Sequence, residues 1–308
     1  MEVGVKVEAE SPLSSERVFV AHAYLTFVAL SPRPTPHTYL GKRFVQYMPI
    51  AVPHIIPMTP METRRYDMAE KRRQNRLSRP KMDRSNIRET MQAYSQGLNL
   101  HQTKDAPIRS HPAFTPRHMM MQHEQEEDTR HHRRYSMDPK MLQPVDAMKM
   151  EDSFAEVVKL VMPQHANSLS ITFGGQIISW MEQCALSSAN RLAKAYLLTA
   201  SIDSLNFITS TRIGDVVTIR SIVSKTYTSS MEVYVSVEAE NLQTGQINFT
   251  NDGFFTITAV DSDLVPVVIP CVVPQTQAEI ELFDEGNERR NKRLLYRQEL
   301  LELLDSHS

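Results

Sequence analysis

Gly174 and Gly175 stand side by side where a loop gives way to helical periodicity, and Glu182 follows seven residues later in the same run. The start of a helix presents backbone N–H groups with no intrahelical acceptor, together with the positive end of the helix dipole. Glycine there lets a ligand approach bare backbone. An oxygen that gains negative charge during a reaction can be held at such a place. Seven residues make two helical turns, which sets Glu182 beside the face formed by Met181, Ala185 and Ala189. A carboxylate bordering an apolar face is costly unless it is paired or used. Each feature also has a plain structural reading. Glycines at a loop–helix junction often serve only to permit a tight turn, and most glutamates are surface residues. From these residues alone the two readings of the glycine pair stand level.

The elements that must hold these residues follow from periodicity. "FAEVVKLVMP" at 154–163 reads as a strand ending at Pro163, and "HANSLSITFGG" at 165–175 as a loop. In "GQIISWMEQCALSSANRLA" at 175–193, Ile177, Ile178, Met181, Ala185, Ala189 and Leu192 keep helical spacing. Four strands follow at 199–208, 214–223, 231–240 and 249–260, and a last helix at 288–304. One long helix followed by a run of antiparallel strands predicts an α+β unit, a buried helix wrapped by a sheet.

The chain also repeats itself. "MEVGVKVEAE" at 1–10 matches "MEVYVSVEAE" at 231–240, and at the same offset Phe19, Thr26 and Ala29 meet Phe249, Thr256 and Ala259. "AEKRRQNRL" at 69–77 resembles "GNERRNKRL" at 286–294. Both copies read as strand, turn, strand. A lone hairpin is marginal in water, so each copy needs the rest of a unit. The second copy has 78 residues between Ser153 and Met231 that the first lacks. This predicts three segments: residues 1–77 as the back end of a first module whose front is missing, 78–150 as a linker, and 151–305 as a complete module. Residues 31–60, with seven prolines, read as an irregular connection and 61–77 as a charged helix.

Residues 78–150 are rich in Met, Arg and His, and read as disordered. The six histidines there, His101, His111, His118, His123, His131 and His132, fit no compact metal site, and "RRYS" offers Ser136 as a chance-level kinase match. The net charge of −2 favours no particular partner. No apolar run is long enough to span a bilayer, and two cysteines, Cys184 and Cys271, make no disulfide framework. "MEVGVKVEAE" has no signal-peptide pattern. Ten arginines and lysines between Arg64 and Arg88 raise nucleic-acid binding, but they lack interleaved aromatics and read as a solvated basic face.

With "MPQHANSLSITFGGQIISWMEQCA", "ASIDSLNFI", "IGDVV" and "SSMEV" in that order, the chain resembles the second module of double-hotdog acyl-CoA thioesterases. The likeness is to the cytoplasmic type that also occurs with a START domain, and these residues include no START-like segment. The resemblance implies a hotdog fold and hydrolysis of fatty acyl-CoA to free fatty acid and CoA. It implies that Gly174 and Gly175 hold the thioester carbonyl and that Glu182 activates water. It carries Asn167, an upstream family asparagine, to the catalytic residues, and Gly174, Phe173, His165, Ser229 and Ser230 to the side of coenzyme A. No metal or cofactor is implied, since coenzyme A is part of the substrate. Paired modules with antiparallel helices are implied, hence a homo-oligomer. A cytoplasmic setting is implied, with mitochondrial as the alternative; neither membrane nor nucleic acid is an expected partner. One departure stands out. The position expected to carry a catalytic Asn or Asp is Ile171, which can neither orient water nor accept a proton. That keeps a second expectation alive: a catalytically weak CoA-ester-binding or oligomer-forming hotdog protein. Lys225 and Arg212 are candidates for phosphate contact, Cys184 for the core. No His–Glu pair of dehydratase type is present.

Overall fold

The computed structural model describes residues 1–13, 16–39, 42–78, 83–97, 147–203 and 205–305. The six histidines and Ser136 of the central segment lie outside them. The chain divides into two compact units, Met1–Met82 and Asp83–Ser308.

The second unit contains the expected helix and sheet. Strands β6 (Ala155–Leu160), β7 (Tyr196–Ile202), β8 (Asp215–Thr226), β9 (Ser230–Asn241) and β10 (Gln246–Val260) form one antiparallel sheet in the order β6-β8-β9-β10-β7. Helix α3 (Gly174–Leu192) packs on its inner face. Ile177, Met181, Cys184, Ala185, Ser188, Ala189 and Leu192 are buried, and small residues in its middle let it settle close to the strands. Ser188 and Cys184 meet the Ser221 hydroxyl at 2.7 and 3.1 Å, so those polar atoms are buried with partners. This is the hotdog arrangement.

Around it the expectations need correction in three places. Residues 83–97, inside the span read as disordered linker, hold helix α2 (Ser85–Ser95), with Ile87 and Met91 buried. The Tyr94 hydroxyl donates to Glu279 Oε1 at 2.8 Å and Arg88 stacks over the Phe249 ring. Ile87, Met91 and Tyr94 share one helix face, enough apolar surface to dock a short helix. The module's edge likewise begins before Ser153, because β5 (Met148–Lys149) pairs with β11 (Val272–Val273). The strand expected at 199–208 is shifted to Tyr196–Ile202. A further helix, α4 (Gln277–Asp284), precedes α5 (Gly286–Asp305).

The first unit pairs β1 (Glu2–Glu10) with β2 (Arg17–Thr26), as the repeat requires. The proline-rich stretch is irregular only in its second part, residues 50–59. Strands β3 (Leu30–Tyr39) and β4 (Lys42–Pro49) form an antiparallel pair, and since both strands of a two-stranded ladder are edges, proline is tolerated there. Helix α1 spans Pro60–Ser78.

The two units share one construction. In the second, Glu232 on β9 receives Arg289 at 2.7 Å and Arg293 at 2.5 Å from α5, and Arg289 lies over the Phe254 ring. In the first, Glu2 on β1 receives Arg72 at 2.6 Å and Arg76 at 3.7 Å from α1, and Arg72 lies over Tyr24. Glu2 and Tyr24 precede Glu232 and Phe254 by the repeat offset, and the arginines are the matched ones of the two tails. The same charged clasp thus ties the trailing helix to the outer face of each hairpin. The inner faces differ. Val3, Val7, Leu25 and Phe27 are 41%, 46%, 44% and 50% exposed, while their counterparts Val233, Val237, Phe255 and Ile257 are 0% exposed beneath α3.

Candidate active site

The loop ahead of α3 is built by its own polar groups. Asn167 Oδ1 accepts the N–H groups of Leu169 and Ile171 at 2.9 and 3.2 Å, and the Asn167 N–H donates to Ile171 O at 2.9 Å. This closed turn sets Ser170 at φ 58°. Thr172 N–H donates to Thr211 O, and the Thr211 and Thr172 hydroxyls meet at 2.6 Å, tying the loop to the segment that leads into β8. His165 Nδ1 accepts the Met162 N–H at 3.1 Å, and its ring stands edge-on to Trp180, centroids 5.0 Å apart. The Phe173 N–H donates to His165 O, so the residue just before α3 is held from behind while its ring is exposed.

What this presents is a helix start with two bare amides. Gln176 and Ile177 donate back to Phe173 O. Among the described residues the N–H groups of Gly174 and Gly175 meet no acceptor. A Cβ on Gly175 would touch nothing within 4 Å, so its backbone is open to a visitor; one on Gly174 would stand 3.2 Å from the Phe207 ring. Open amides at the positive end of a 19-residue helix suit an oxygen that becomes negative.

Glu182 is half-buried on α3 and has no hydrogen-bond or ion-pair partner among the described residues. Seven residues separate it from Gly175, about 10 Å along the axis. One module therefore cannot set both groups around a single carbonyl carbon. Ser229 lies in the turn after β8 and Ser230 begins β9, and their carbonyls accept from Ala259 and Tyr227. That is the end of the sheet toward which α3 runs, since Ser188 sits at Ser221. The structure does not bring them to the glycine end of the same helix. Ile171 is half-buried and bridges to Arg212, whose side chain is exposed. Lys225 is not a solvated cation: it is 8% exposed, its Nζ donates to Phe283 O at 3.2 Å, and burial lowers its pKa. Cys184 is core, and burial raises its thiol pKa to about 11.

Two further residues belong to the picture. Thr199, on β7 with Leu197 and Ser201 facing inward, has a buried hydroxyl with no partner among the described residues. An unsatisfied buried hydroxyl is uncommon without a use. Phe207 covers Gly174. Placing the strand at 196–202 by its alternation would have revealed Thr199; no local signal marks Phe207. Between α3 and β7 runs an open groove of about 390 Å³, lined by Leu186, Ser187, Asn190, Ala195, Tyr196 and Leu197. The outer edge of β7 ends the sheet, with Tyr196, Leu198 and Ile202 exposed. No group of three His, Cys, Asp or Glu among the described residues could hold a metal ion, and no described helix is long and apolar enough to cross a membrane.

Residues 169–246 match the thioesterase superfamily model. The acyl-CoA thioester hydrolase YkhA of Bacillus subtilis, itself described as uncharacterized, is 38% identical over 141 residues, covering 45% of this chain and 82% of that protein. Acyl-coenzyme A thioesterase 11 of mouse is 28% identical over 295 residues, 96% of this chain and 40% of that protein. The chain thus spans less than half of the mouse relative, and the match runs through both units. The crystal structure of an acyl-CoA hydrolase from Bacillus cereus superposes with a TM-score of 0.50 at 30% identity, over 52% of this chain and 97% of that one.

Proposed function

The chain belongs to the thioesterase superfamily of hotdog acyl-CoA hydrolases, and on that premise we propose that it cleaves fatty acyl-CoA to free fatty acid and coenzyme A. The observation that carries this reading is the pair of open amides at Gly174 and Gly175 together with an unpaired, half-buried Glu182. The amides receive the carbonyl oxygen and stabilise the oxyanion as water adds. Glu182 takes the proton from that water as general base. Collapse of the tetrahedral intermediate expels the coenzyme A thiolate, which needs no metal or further cofactor. Asn167 contributes its side-chain NH₂ beside the amides, since its oxygen is already committed to the loop. Phe173 and His165 flank the pantetheine arm.

The separation of Gly175 and Glu182 along α3 sets the assembly. Two modules joined through the free edges of β7 lay their helices antiparallel, so that the carboxylate of one meets the amides of the other. The same pairing carries Ser229 and Ser230 of one copy toward the glycine end of its partner. The exposed apolar edge of β7 supports this pairing. The reading places the protein in the cytoplasm, with a mitochondrial setting as the alternative. A second reading, CoA-ester binding with little turnover, is favoured by Ile171 standing where an Asn or Asp is expected.

The test is hydrolysis of short and long acyl-CoAs by the full chain, with Glu182→Gln alongside. Loss of turnover of at least about a hundredfold, with coenzyme A ester binding kept, supports the hydrolase. Binding without turnover in the unsubstituted chain supports the second reading.

A further inference from the structure

The clasp in the second unit has a member that the first does not need. In the first unit the clasp on α1 is made by Glu2, Arg72, Arg76 and Tyr24. In the second, Arg293 Nη1 reaches past Glu232 to Asp203 Oδ2 at 3.1 Å. Asp203 is the first residue after β7, and its N–H donates to Phe254 O at 2.9 Å. It opens the segment that carries Leu205 and Phe207. Leu205 occupies the space a side chain at residue 253 would need: a Cβ on Gly253 would fall 2.0 Å from Leu205 Cδ2. The Phe207 ring lies on Gly174, and the Ile208 N–H returns to Thr250 O at 2.9 Å. The segment is therefore pinned at its start by Arg293, at its end by β10, and at its middle against the first residue of α3.

The two partners respond in opposite senses: pairing lowers the Asp203 pKa against burial and the nearby Glu232, and it raises that of Arg293. Burial raises the Asp203 pKa, and the neighbouring Arg293 does not fully offset it. The clasp itself already has Glu232, which the two arginines hold ionised against the effect of burial. The geometry sets Asp203 apart from the clasp: Glu232 joins both arginines of α5 to β9, whereas Asp203 joins Arg293 alone to the start of the segment that carries Phe207.

We infer that Arg293, through Asp203, is a positioning residue for the reaction: it holds Asp203, and with it residues 205–208, so that Phe207 walls the open amides at the start of α3. The inference rests on the reading that those amides receive the thioester carbonyl. Phe207 then fixes the direction of approach to the amides and keeps water from them, while Arg293 touches neither substrate nor the reacting atoms.

Arg289 supplies the control. It shares Glu232 with Arg293 and has further partners in Glu285 and the Leu282 carbonyl, but the structure gives it no bond to Asp203. In the full chain, Arg293→Ala, Arg293→Lys, Arg289→Ala and Asp203→Asn are compared by hydrogen–deuterium exchange and by acyl-CoA turnover. Arg293→Ala and Asp203→Asn should speed exchange across residues 170–177 and 203–213 and lower kcat about tenfold to a hundredfold, with KM moving far less. Arg293→Lys should recover part of both. Arg289→Ala should loosen α5 while leaving exchange at 170–177 and kcat unchanged. If Arg293→Ala fails to fold, Asp203→Asn decides, because it leaves Glu232 both arginines. Equal exchange at 170–177 in the Arg293 and Arg289 variants, or unchanged exchange in Asp203→Asn, overturns the inference. Absence of turnover in the unsubstituted chain counts against the hydrolase reading instead, and the exchange result still decides the positioning role.

Discussion

Replacing Glu232 by Gln should cost far more stability than the same change at Glu2, although the two residues hold the same place in the repeat. Glu232 is 0% exposed; its Oε1 takes Ser224 Oγ and Arg289, and its Oε2 takes Arg293 at 2.5 Å. Removing the charge leaves two arginines, whose side chains are 11% and 14% exposed, facing a neutral amide. Breaking a buried pair of this kind costs about 3–5 kcal/mol. Arg289 keeps Glu285, Arg293 keeps Asp203, and the amide oxygen still accepts one bond, which brings the expected loss to about 2–3 kcal/mol. At Glu2 the arginine side chains are 25% and 33% exposed and Arg76 stands at 3.7 Å, so the loss there should stay near or below about 1 kcal/mol. Urea unfolding followed at Trp180, the single tryptophan, reads the second unit. At a slope of about 2 kcal/mol/M the Glu232 variant should unfold about 1–1.5 M earlier. The gap should also narrow in acid. The arginines hold the Glu232 carboxyl below its ordinary pKa despite its burial, so its contribution is complete above the ordinary value of about 4.3 and disappears as pH falls through the lower folded value. A Trp180 midpoint shift at Glu232 well below about 1 M, or one that does not fade in acid, would refute the account of the clasp.

Three other outcomes follow from the same structure. Thr199→Val removes a buried hydroxyl without a described partner, so unfolding should be unchanged or later by up to about 1 kcal/mol; a concurrent drop in acyl-CoA turnover would mark that hydroxyl as part of the site. Val235→Asp should prevent folding of the second unit, costing more than about 3 kcal/mol, while Val5→Asp on the uncovered face should cost less than about 1 kcal/mol by calorimetry, because Val235 is 0% exposed under α3 and Val5 is half-exposed. Cys184, fully buried and with its thiol pKa raised to about 11, should resist a thiol reagent in the native state and react only in denaturant.

Much of the fold was legible because its signals are local. The spacing of Ile177, Met181, Ala185, Ala189 and Leu192 announced α3 within a residue of its bounds, and alternating valines announced β1 and β9. The misreadings share a different cause. Helix α2 rests on Ile87 and Met91 inside a polar, charged stretch, and composition averaged over 78–150 hides two buried side chains. The prolines of β3 argued against a strand, yet a two-stranded ladder leaves every residue on an edge. Helix α4 is short, and its one local signal is the capping box of Thr276 with Glu279. Of the candidate site, the glycine pair and Glu182 stand out by type and spacing. The contacts of Phe207 with Gly174 and of Asp203 with Arg293 were not, since each joins residues far apart in the chain by side chains that follow no period.

The repeat shows most directly what the central helix contributes. Two hairpins of closely similar sequence carry the same clasp on their outer faces, so local chemistry and the trailing helix do not distinguish them. They differ in what lies on the inner face. Under α3, Val233, Val237, Phe255 and Ile257 lose all contact with solvent, and the hairpin becomes the middle of a five-stranded sheet. Without such a helix, Val3, Val7, Leu25 and Phe27 stay near half exposed in a two-stranded ladder. Four such side chains, each worth about 1.5–3 kcal/mol on full burial and already half covered, correspond to about 3–6 kcal/mol that α3 adds to one hairpin and not to the other. That is of the order of a domain's whole net stability. The helix that presents the open amides is therefore also the element that makes the hairpin beneath it a stable sheet. A substitution that loosened α3 from the strands should cost folding before it cost turnover, whereas Glu182 and Gly175 lie outside that packed stripe and should be changeable with the fold intact.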